Sequence, residues 1–507
     1  MSARKKLPTI AYLGIAGIVL GVSYVSTKTL LPSYNHTVEA KSYGNEARQI
    51  TVLGDTFSGY STFRSSSFGE TIAQADLGIQ YRNEFDQASR AEALGQKADI
   101  IVTTLDQFLR HQPQGKIVGL IDRTVGADAV ILNTKQYPEL TSLNDIPKIK
   151  NKNLKIVYAA DTPSEYLAKV LDIKFKEFSL GDFEIVEVAS ATDAHKALKS
   201  DPEVAIAVLW EPFVSQAKQA GGTTVLSSKD VPNSIVDVIV ASQNMLRKPK
   251  ELSAFLTSYY QHMDSLVQNS SQMKHQIAED SDLDPQAASD IASEIDFFSS
   301  LEAQQWMSDG TLTQRINATA GILKLTGDLN TFPQNPNQLF SANHITQAVG
   351  NSQKIIDSIA SSDPELANVL SGKNDKTQAS PSKQAIQSAS NVGSLSVRGD
   401  VKFTEDSGIL TTASIATLDQ FANELKDFNL KTTAINIIGH TSKTGDPISN
   451  QKLSQIRAQV VANYVKSKGL KLQIVAEGKG FSTPLTGVPP TDPKNQRTEI
   501  QLKRLDG

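Results

Sequence analysis

The sequence predicts an α/β protein with mostly parallel sheets through its long middle region, followed by a smaller α+β domain. Two observations carry this. From about Gln49 to Phe332, short apolar runs of strand length alternate with segments of helical periodicity, the pattern of strand–helix–strand units. From Val397 to Gly507 the pattern is denser, with apolar strands flanking two helices. A third feature stands before both: an apolar run from Leu7 to Val25 behind Arg4, Lys5 and Lys6.

The 507 residues exceed one ordinary domain, so two to three folded units are expected. The net charge of −4 offers no basic surface for nucleic acid, which excludes that class of partner. Cysteine is absent, which removes disulfides, thiolate metal sites and a cysteine nucleophile. The seven histidines have no metal-ligand spacing, and His195, His262 and His275 read as surface residues. No zinc-hydrolase, nucleophile-elbow or phosphate-loop motif occurs, so no enzyme, cofactor or metal is expected.

In chain order, residues 1–26 read as a signal anchor or transmembrane helix. About 20 apolar residues cross a bilayer core, and the basic cluster stays on the cytoplasmic side. A cleaved signal peptide has the same charge order, but no Ala-x-Ala site follows. Residues 27–48 are a polar spacer. The rest of the chain is then periplasmic, in the cell envelope and anchored at the inner membrane.

Strands are expected at Ile50–Leu53, Ile100–Thr103, Ala129–Leu132, Lys155–Ala159, Phe183–Val188, Val204–Leu209 and Ile235–Ala241. Helices are expected at Asp86–Ala93, Pro163–Leu171, Ala191–Leu198, Pro249–Val267 and Pro285–Asp296. Parallel sheets bind ligands at strand carboxyl ends, where loops lead into helix N-termini. Polar and small residues gather in those loops. Asp55, Thr56, Gly59 and Tyr60 follow the first strand, Thr103 and Thr104 close the second, and Asp128 precedes the third. Thr162 and Ser164 follow the fourth, Trp210 and Glu211 the sixth, and Asp237 lies in the seventh. These twelve are the candidate ligand-binding residues. Each has a plainer reading: Gly59 suits a turn, Thr162 a helix cap, Trp210 core packing, and Asp55 and Asp237 backbone hydrogen bonding.

The loop G-D-x-x-x-G-Y at Gly54–Tyr60, A-D-I-I-V-T-T ending at Thr104, G-A-D-A at Gly126–Ala129, T-P-S at Thr162–Ser164, W-E-P at Trp210–Pro212 and D-V-I-V-A at Asp237–Ala241 come in an order and spacing that carry a resemblance. Residues 49–335 resemble periplasmic substrate-binding proteins of ABC transporters, in the branch for nitrate, sulfonates or thiamine precursors. The resemblance implies two α/β lobes closing on a solute, like a Venus flytrap, and an ABC permease as partner. The ligand class stays open. Hydroxyls and helix N-termini suit an oxyanion; Asp128 and Glu211 facing the cleft suit an amine.

Residues 336–393 read as a helical segment, with periodicity from Ile345 to Leu370, and then a Ser, Gln, Lys and Ala rich flexible linker. Such a linker lets the last domain seek its partner independently.

In residues 394–507, Val401–Phe403 is strand-like, Ser414–Phe428 helical, and Ile435–Ile438 a buried strand. Leu453–Ser454 opens a helix, and Leu472–Ala476 and Asn495–Leu502 are strands. The motifs I-x-I-x-G-H-T ending at Thr441, L-S-x-x-R-A at Leu453–Ala458, E-G-x-G-x-x-x-P at Glu477–Pro484 and N-x-R-x-E-I at Asn495–Ile500 resemble the OmpA-like peptidoglycan-binding module. The resemblance implies a site formed by Thr441, Ser442, Asp446, Asn450, Leu453, Arg457, Asn495 and Arg497. Its helix arginine, here Arg457, meets a carboxylate of the stem peptide, which its planar fork suits. Its aspartate, which meets an ammonium, is replaced by Ser442. Asp446 in the same loop is a candidate substitute. Gln496 stands where the family has arginine.

The expected function is an envelope-tethered protein that captures a small solute, an oxyanion or small organic molecule, for ABC-type transport and attaches to peptidoglycan. The rival is a structural tether or sensor whose binding domain serves no transport.

Overall fold

The computed structural model describes residues 48–505, apart from 151, 212, 232–233, 282–283, 373–380, 397–400, 405–406 and 429–431. The expected anchor at 1–26 and nearly all of the spacer lie outside the described residues. Among the described residues no helix is long and apolar enough to cross a membrane.

Two sheets build the middle region. The first holds β1 (Arg48–Gly54), β2 (Leu77–Asn83), β3 (Ile100–Thr104), β4 (Gly115–Thr124), β10 (Val236–Ser242) and β11 (Ile295–Phe297). The second holds β5 (Asp128–Leu132), β6 (Lys155–Ala159), β7 (Glu184–Val188), β8 (Val204–Trp210) and β9 (Thr223–Ser227). Their orders are β11-β4-β10-β3-β1-β2 and β7-β6-β8-β5-β9. The chain passes from lobe 1 to lobe 2 at residues 125–127 and returns at 228–235. Two crossings between two sheets make the expected two-lobed α/β architecture.

β1 runs parallel to β2 and β3, whereas β10 is antiparallel to both β3 and β4. The carboxyl ends of β1, β3 and β4 and the amino end of β10 therefore share one edge. In lobe 2, β6 is parallel to β7 and β8, and β5 is antiparallel to β8 and β9. The carboxyl ends of β6 and β8 and the amino end of β5 share an edge in turn. The short crossing from β4 to β5 sets these two edges against each other.

Local chemistry starts the helices where the sequence says. Pro163, Pro249 and Pro285 occupy first-turn positions, where a missing N–H costs nothing. Asp86 and Ser190 cap their helices by accepting the Ser89 and Asp193 amides. The helix Pro249–Gln268 lays Phe255, Tyr259 and Tyr260 on lobe 1, with Tyr259 stacked on Phe63 at 4.9 Å. Phe298 and Trp306 pack edge to face at 4.9 Å beneath the Arg123 guanidinium. His195 and His262 are buried rather than on the surface: His195 tilts against Phe213, and His262 lies in hydrogen-bond range of Gln276 and Thr71.

The last sheet contains β12 (Ser390–Ser394), β13 (Thr433–Gly439), β14 (Gln473–Gly478) and β15 (Thr498–Arg504), in the order β12-β15-β13-β14. Val401–Phe403 forms only an isolated bridge, Phe403 to Leu410. The helix expected to open at Leu453 opens at Pro447, because Asp446 caps it. That helix, Pro447–Ser467, crosses β13 and β14 at Gly439 and Gly478, where a Cβ would sit 2.2 Å from the Ser454 carbonyl oxygen and 2.4 Å from the Gln455 nitrogen. The glycines are spacers for helix–sheet contact.

The structure departs from the sequence at the connector. Residues 383–388 are helical and β12 pairs with β15, so this stretch is held by a ladder. It also docks on lobe 2. Lys176 N donates to Ser394 O at 3.0 Å, Ser396 N to Lys174 O at 2.8 Å, and Ser394 N to the Glu177 carboxylate at 2.9 Å. Phe175 meets Phe428 edge to face at 6.5 Å. Arg504 grips Asp230, on the return crossing, through Nε at 3.1 Å and Nη2 at 2.7 Å. The expected independent tether is a docked domain instead.

Candidate functional site

Eleven of the twelve candidate ligand residues fall on the facing sheet edges or in the segments that leave them, and Ser164 lies in the first turn of the helix Pro163–Lys174. On lobe 1, Asp237 is in register with Thr104, and β1 leads into the Asp55–Tyr60 loop. On lobe 2, Asp128 is in register with Trp210, and β6 leads to Thr162 and Ser164.

Their roles divide. Asp55 is structural: Arg90 Nη2 donates to it at 2.9 Å, and it accepts the Phe57 amide. Arg90 is fully buried and also donates to the Glu84 and Val102 carbonyls. Glu211 accepts the Ser215 amide and hydroxyl, steadying the helix Phe213–Gln219. Thr162 donates to the Ala159 carbonyl at 2.7 Å, a turn contact. Thr103 donates to Gln87 at 3.2 Å. Thr56 is exposed and Trp210 half-buried. Ser164 is fully buried, and its hydroxyl finds no partner among the described residues.

The remaining residues cluster with acids that sequence reasoning missed. Tyr60 donates its hydroxyl to Asp237 Oδ1. Gly59 lies against Asp122, with a Cβ there reaching 2.4 Å from Asp122 Oδ2. Asp122 is fully buried and within hydrogen-bond reach of Asp237, with no other donor on its oxygens among the described residues. Burial, with the neighbouring acids adding to it, pushes Asp122 up to about 8. Burial likewise pushes Asp128 up to about 7 and Asp106 to about 6, and raises Asp237 well above the carboxylate range. Beside the first crossing, burial lifts Glu294 to about 7. A signal for Asp122 existed: it is the one charged residue in the apolar run Ile117–Asp122.

The lobes meet through side chains as well. Arg110 Nη1 lies 3.2 Å from both Asp161 and Glu165, and His111 Nε2 lies 3.0 Å from Asp161. Asp161 holds a left-handed backbone, φ 56°, uncommon for a residue other than glycine. Lys169 pairs with Glu165 and, at 2.7 Å, with Asp328 from the tail.

In the last domain, Thr441 and Ser442 are buried. Gln496 Nε2 donates to Ser442 Oγ at 3.1 Å, and Thr444 Oγ1 lies 3.1 Å from the same oxygen. Neutral groups thus occupy the surroundings of the replaced aspartate. Asp446 is committed as a helix cap, accepting the Ser449 amide at 2.7 Å, and does not fill the vacancy. Asn450 donates to the Thr444 and Asp446 carbonyls, bracing this loop. Leu453 is half-buried. Arg457 stacks over Phe403 at 5.1 Å and donates Nε to the Ser407 carbonyl at 3.0 Å. Asn495 is spent on the backbone of Leu485, Pro489 and Asp492. Arg497 pairs with Glu499 at 2.6 Å, and His440 Nε2 lies 3.5 Å from the same carboxylate. Burial acts to raise Glu499, but hydrogen bonds and charge from His440 and Arg497 outweigh it and hold the acid at about 2.

Residues 402–498 match the model of the OmpA family. Outer membrane protein A of Shimwellia blattae is 37% identical over 92 residues, covering 18% of this chain and 38% of that protein. The chain spans 26–39% of the length of the curated relatives it matches. Among solved structures, the periplasmic nitrate-binding protein of Synechocystis PCC 6803 is similar, with TM-score 0.48 and 12% identity over 62% of this chain and 92% of that one. The periplasmic aliphatic sulphonate binding protein of Escherichia coli has TM-score 0.46 and 13% identity, covering 59% of this chain and 93% of that one.

Proposed function

We propose that this is an envelope protein that captures a small solute between its two lobes and attaches to peptidoglycan through its last domain. The observation that carries solute capture is the facing of two sheet edges across two chain crossings. Asp237 and Thr104 on one edge, and Asp128 and Trp210 on the other, support this reading. Ligands in open α/β sheets bind at such edges. The captured solute is handed to an ABC permease, and the apolar start of the chain anchors the protein at the inner membrane. The OmpA-family segment supports wall attachment, with Arg457 receiving a stem-peptide carboxylate. No catalytic step is assigned.

A solute that binds the folded chain raises its melting temperature by mass action. Full-length protein screened against a solute library should show a saturable rise for one chemical class. Pull-down with purified sacculi should retain the wild type and lose much of Arg457→Ala. A flat melting temperature with intact sacculus binding would leave only the tether.

A further inference from the structure

We propose that the site between the lobes takes a small organic cation, with its ammonium or amidinium group seated on Asp122, Asp237 and Asp128. This rests on the solute-capture reading and narrows its ligand from small organic molecules in general to one charge.

The antiparallel pairing of β4 and β10, through a register shift beside Val236 and Val238, makes Asp122 and Asp237 neighbours at the inter-lobe edge of lobe 1. Asp122 and Asp237 lie within hydrogen-bond reach of each other, and beyond that mutual contact no donor among the described residues reaches the Asp122 oxygens or Asp237 Oδ2. Two buried acids that face each other are stable only with a proton between them or a cation in its place, so the pair is open to a cationic donor. A second observation is independent of the acids. The Tyr259 side chain, from the helix Pro249–Gln268, is fully buried, and its hydroxyl finds no partner among the described residues. It lies close enough to Asp122 and Asp237 for both to act on it. A third is Gly59, whose missing side chain leaves room for the Asp122 carboxylate.

The sign of the field selects the ligand. The charges acting on Asp237 are Asp122, Asp55 and Asp128, and those on Asp128 are Asp106 and Glu211, all acids; on Asp122, Asp296 and Asp128 act against Arg123. Arg90 is committed to Asp55, and Arg123 to Asp296 and Glu302. Once ionised, these acids repel an oxyanion and attract a cation. An ammonium brings three donors and no acceptor, matching acidic oxygens that otherwise share a proton. Among the described residues no group of three His, Cys, Asp or Glu side chains is arranged to hold a metal ion, which favours an organic cation. Burial holds Asp122 and Asp128 partly protonated near neutrality, so binding a cation drives protons out.

The test uses full-length protein with putrescine, ethylammonium and benzamidine as cations, and nitrate and methanesulfonate as anions. Melting temperature and calorimetry in two buffers of different ionisation enthalpy are read at pH 7. At least one cation should raise the melting temperature and release protons. Asp122→Asn and Asp237→Asn, each checked for native circular dichroism, should weaken that binding tenfold or more. If the anions stabilise and the cations do not, the proposal falls while solute capture stands. If a cation binds both variants as tightly as wild type, the proposal falls as well. If none of the cations stabilises the protein, this proposal falls, and the solute-library screen decides solute capture separately.

Discussion

The fully buried Arg90 guanidinium reaches Asp55 at 2.9 Å, and that contact fixes the loop through which β1 enters the inter-lobe edge. Removing the carboxylate strands a buried cation, which typically costs about 3–5 kcal/mol. Asp55→Ala should therefore lower unfolding free energy by about that amount in urea titration. Thr103→Val, at another candidate position, should cost far less. Equal costs would show that Asp55 is not the structural partner.

Gly59 should not tolerate a side chain. A Cβ there meets Asp122 Oδ2 and the Phe57 ring, each at 2.4 Å. Overpacking of this kind typically costs about 1–3 kcal/mol. Gly59→Ala should be destabilised, and Asp122→Ala in the same chain should recover part of the loss in a double-mutant cycle. Additive effects would contradict the contact.

The buried acids set a pH slope. Their folded pKa values, about 8 for Asp122 and about 7 for Asp128, stand above the ordinary carboxylate value of 3.8. The folded state then binds more protons than the unfolded state between those limits. Their contribution is fully present below pH 3.8 and is lost as pH rises to about 8. Stability measured at pH 5 should exceed that at pH 8, and Asp122→Asn should flatten the difference. Glu499 acts oppositely, losing its contribution as pH falls through about 2.

Ser442→Asp restores the acid of the OmpA-like pattern among Gln496 and Thr444. A charge-assisted hydrogen bond is worth about 1.5–3 kcal/mol, or roughly one to two decades in affinity. Sacculus binding of Ser442→Asp should tighten by that order. Asp446→Ala should instead cost about 1 kcal/mol of stability through the lost cap, with wall binding little changed. A large loss of wall binding in Asp446→Ala would reinstate it as a ligand residue.

Much of the fold was legible because local chemistry and burial agree. In β6 the run Ile156–Ala159 is apolar and followed by turn residues, and Pro163, Pro249 and Pro285 announce helices by geometry alone. β2, β4 and β9 were not legible. Gly78 and Gln80 interrupt β2, Gly119 and Asp122 interrupt β4, and β9 is a short edge strand. β12, Ser-Asn-Val-Gly-Ser, has no strand signature and exists because β15 offers it a ladder. The candidate site shows the same division. Loop positions were found because turns advertise themselves, whereas Asp122 and Tyr259 were missed because they sit inside a strand and a helix that otherwise read as core.

The docking of the last domain on Phe175, Glu177 and Asp230 joins it to lobe 2. The clasp between Arg504 and Asp230 sits on the return crossing, so the last domain is fastened to a segment that joins the two lobes, and a load on that domain is passed to both.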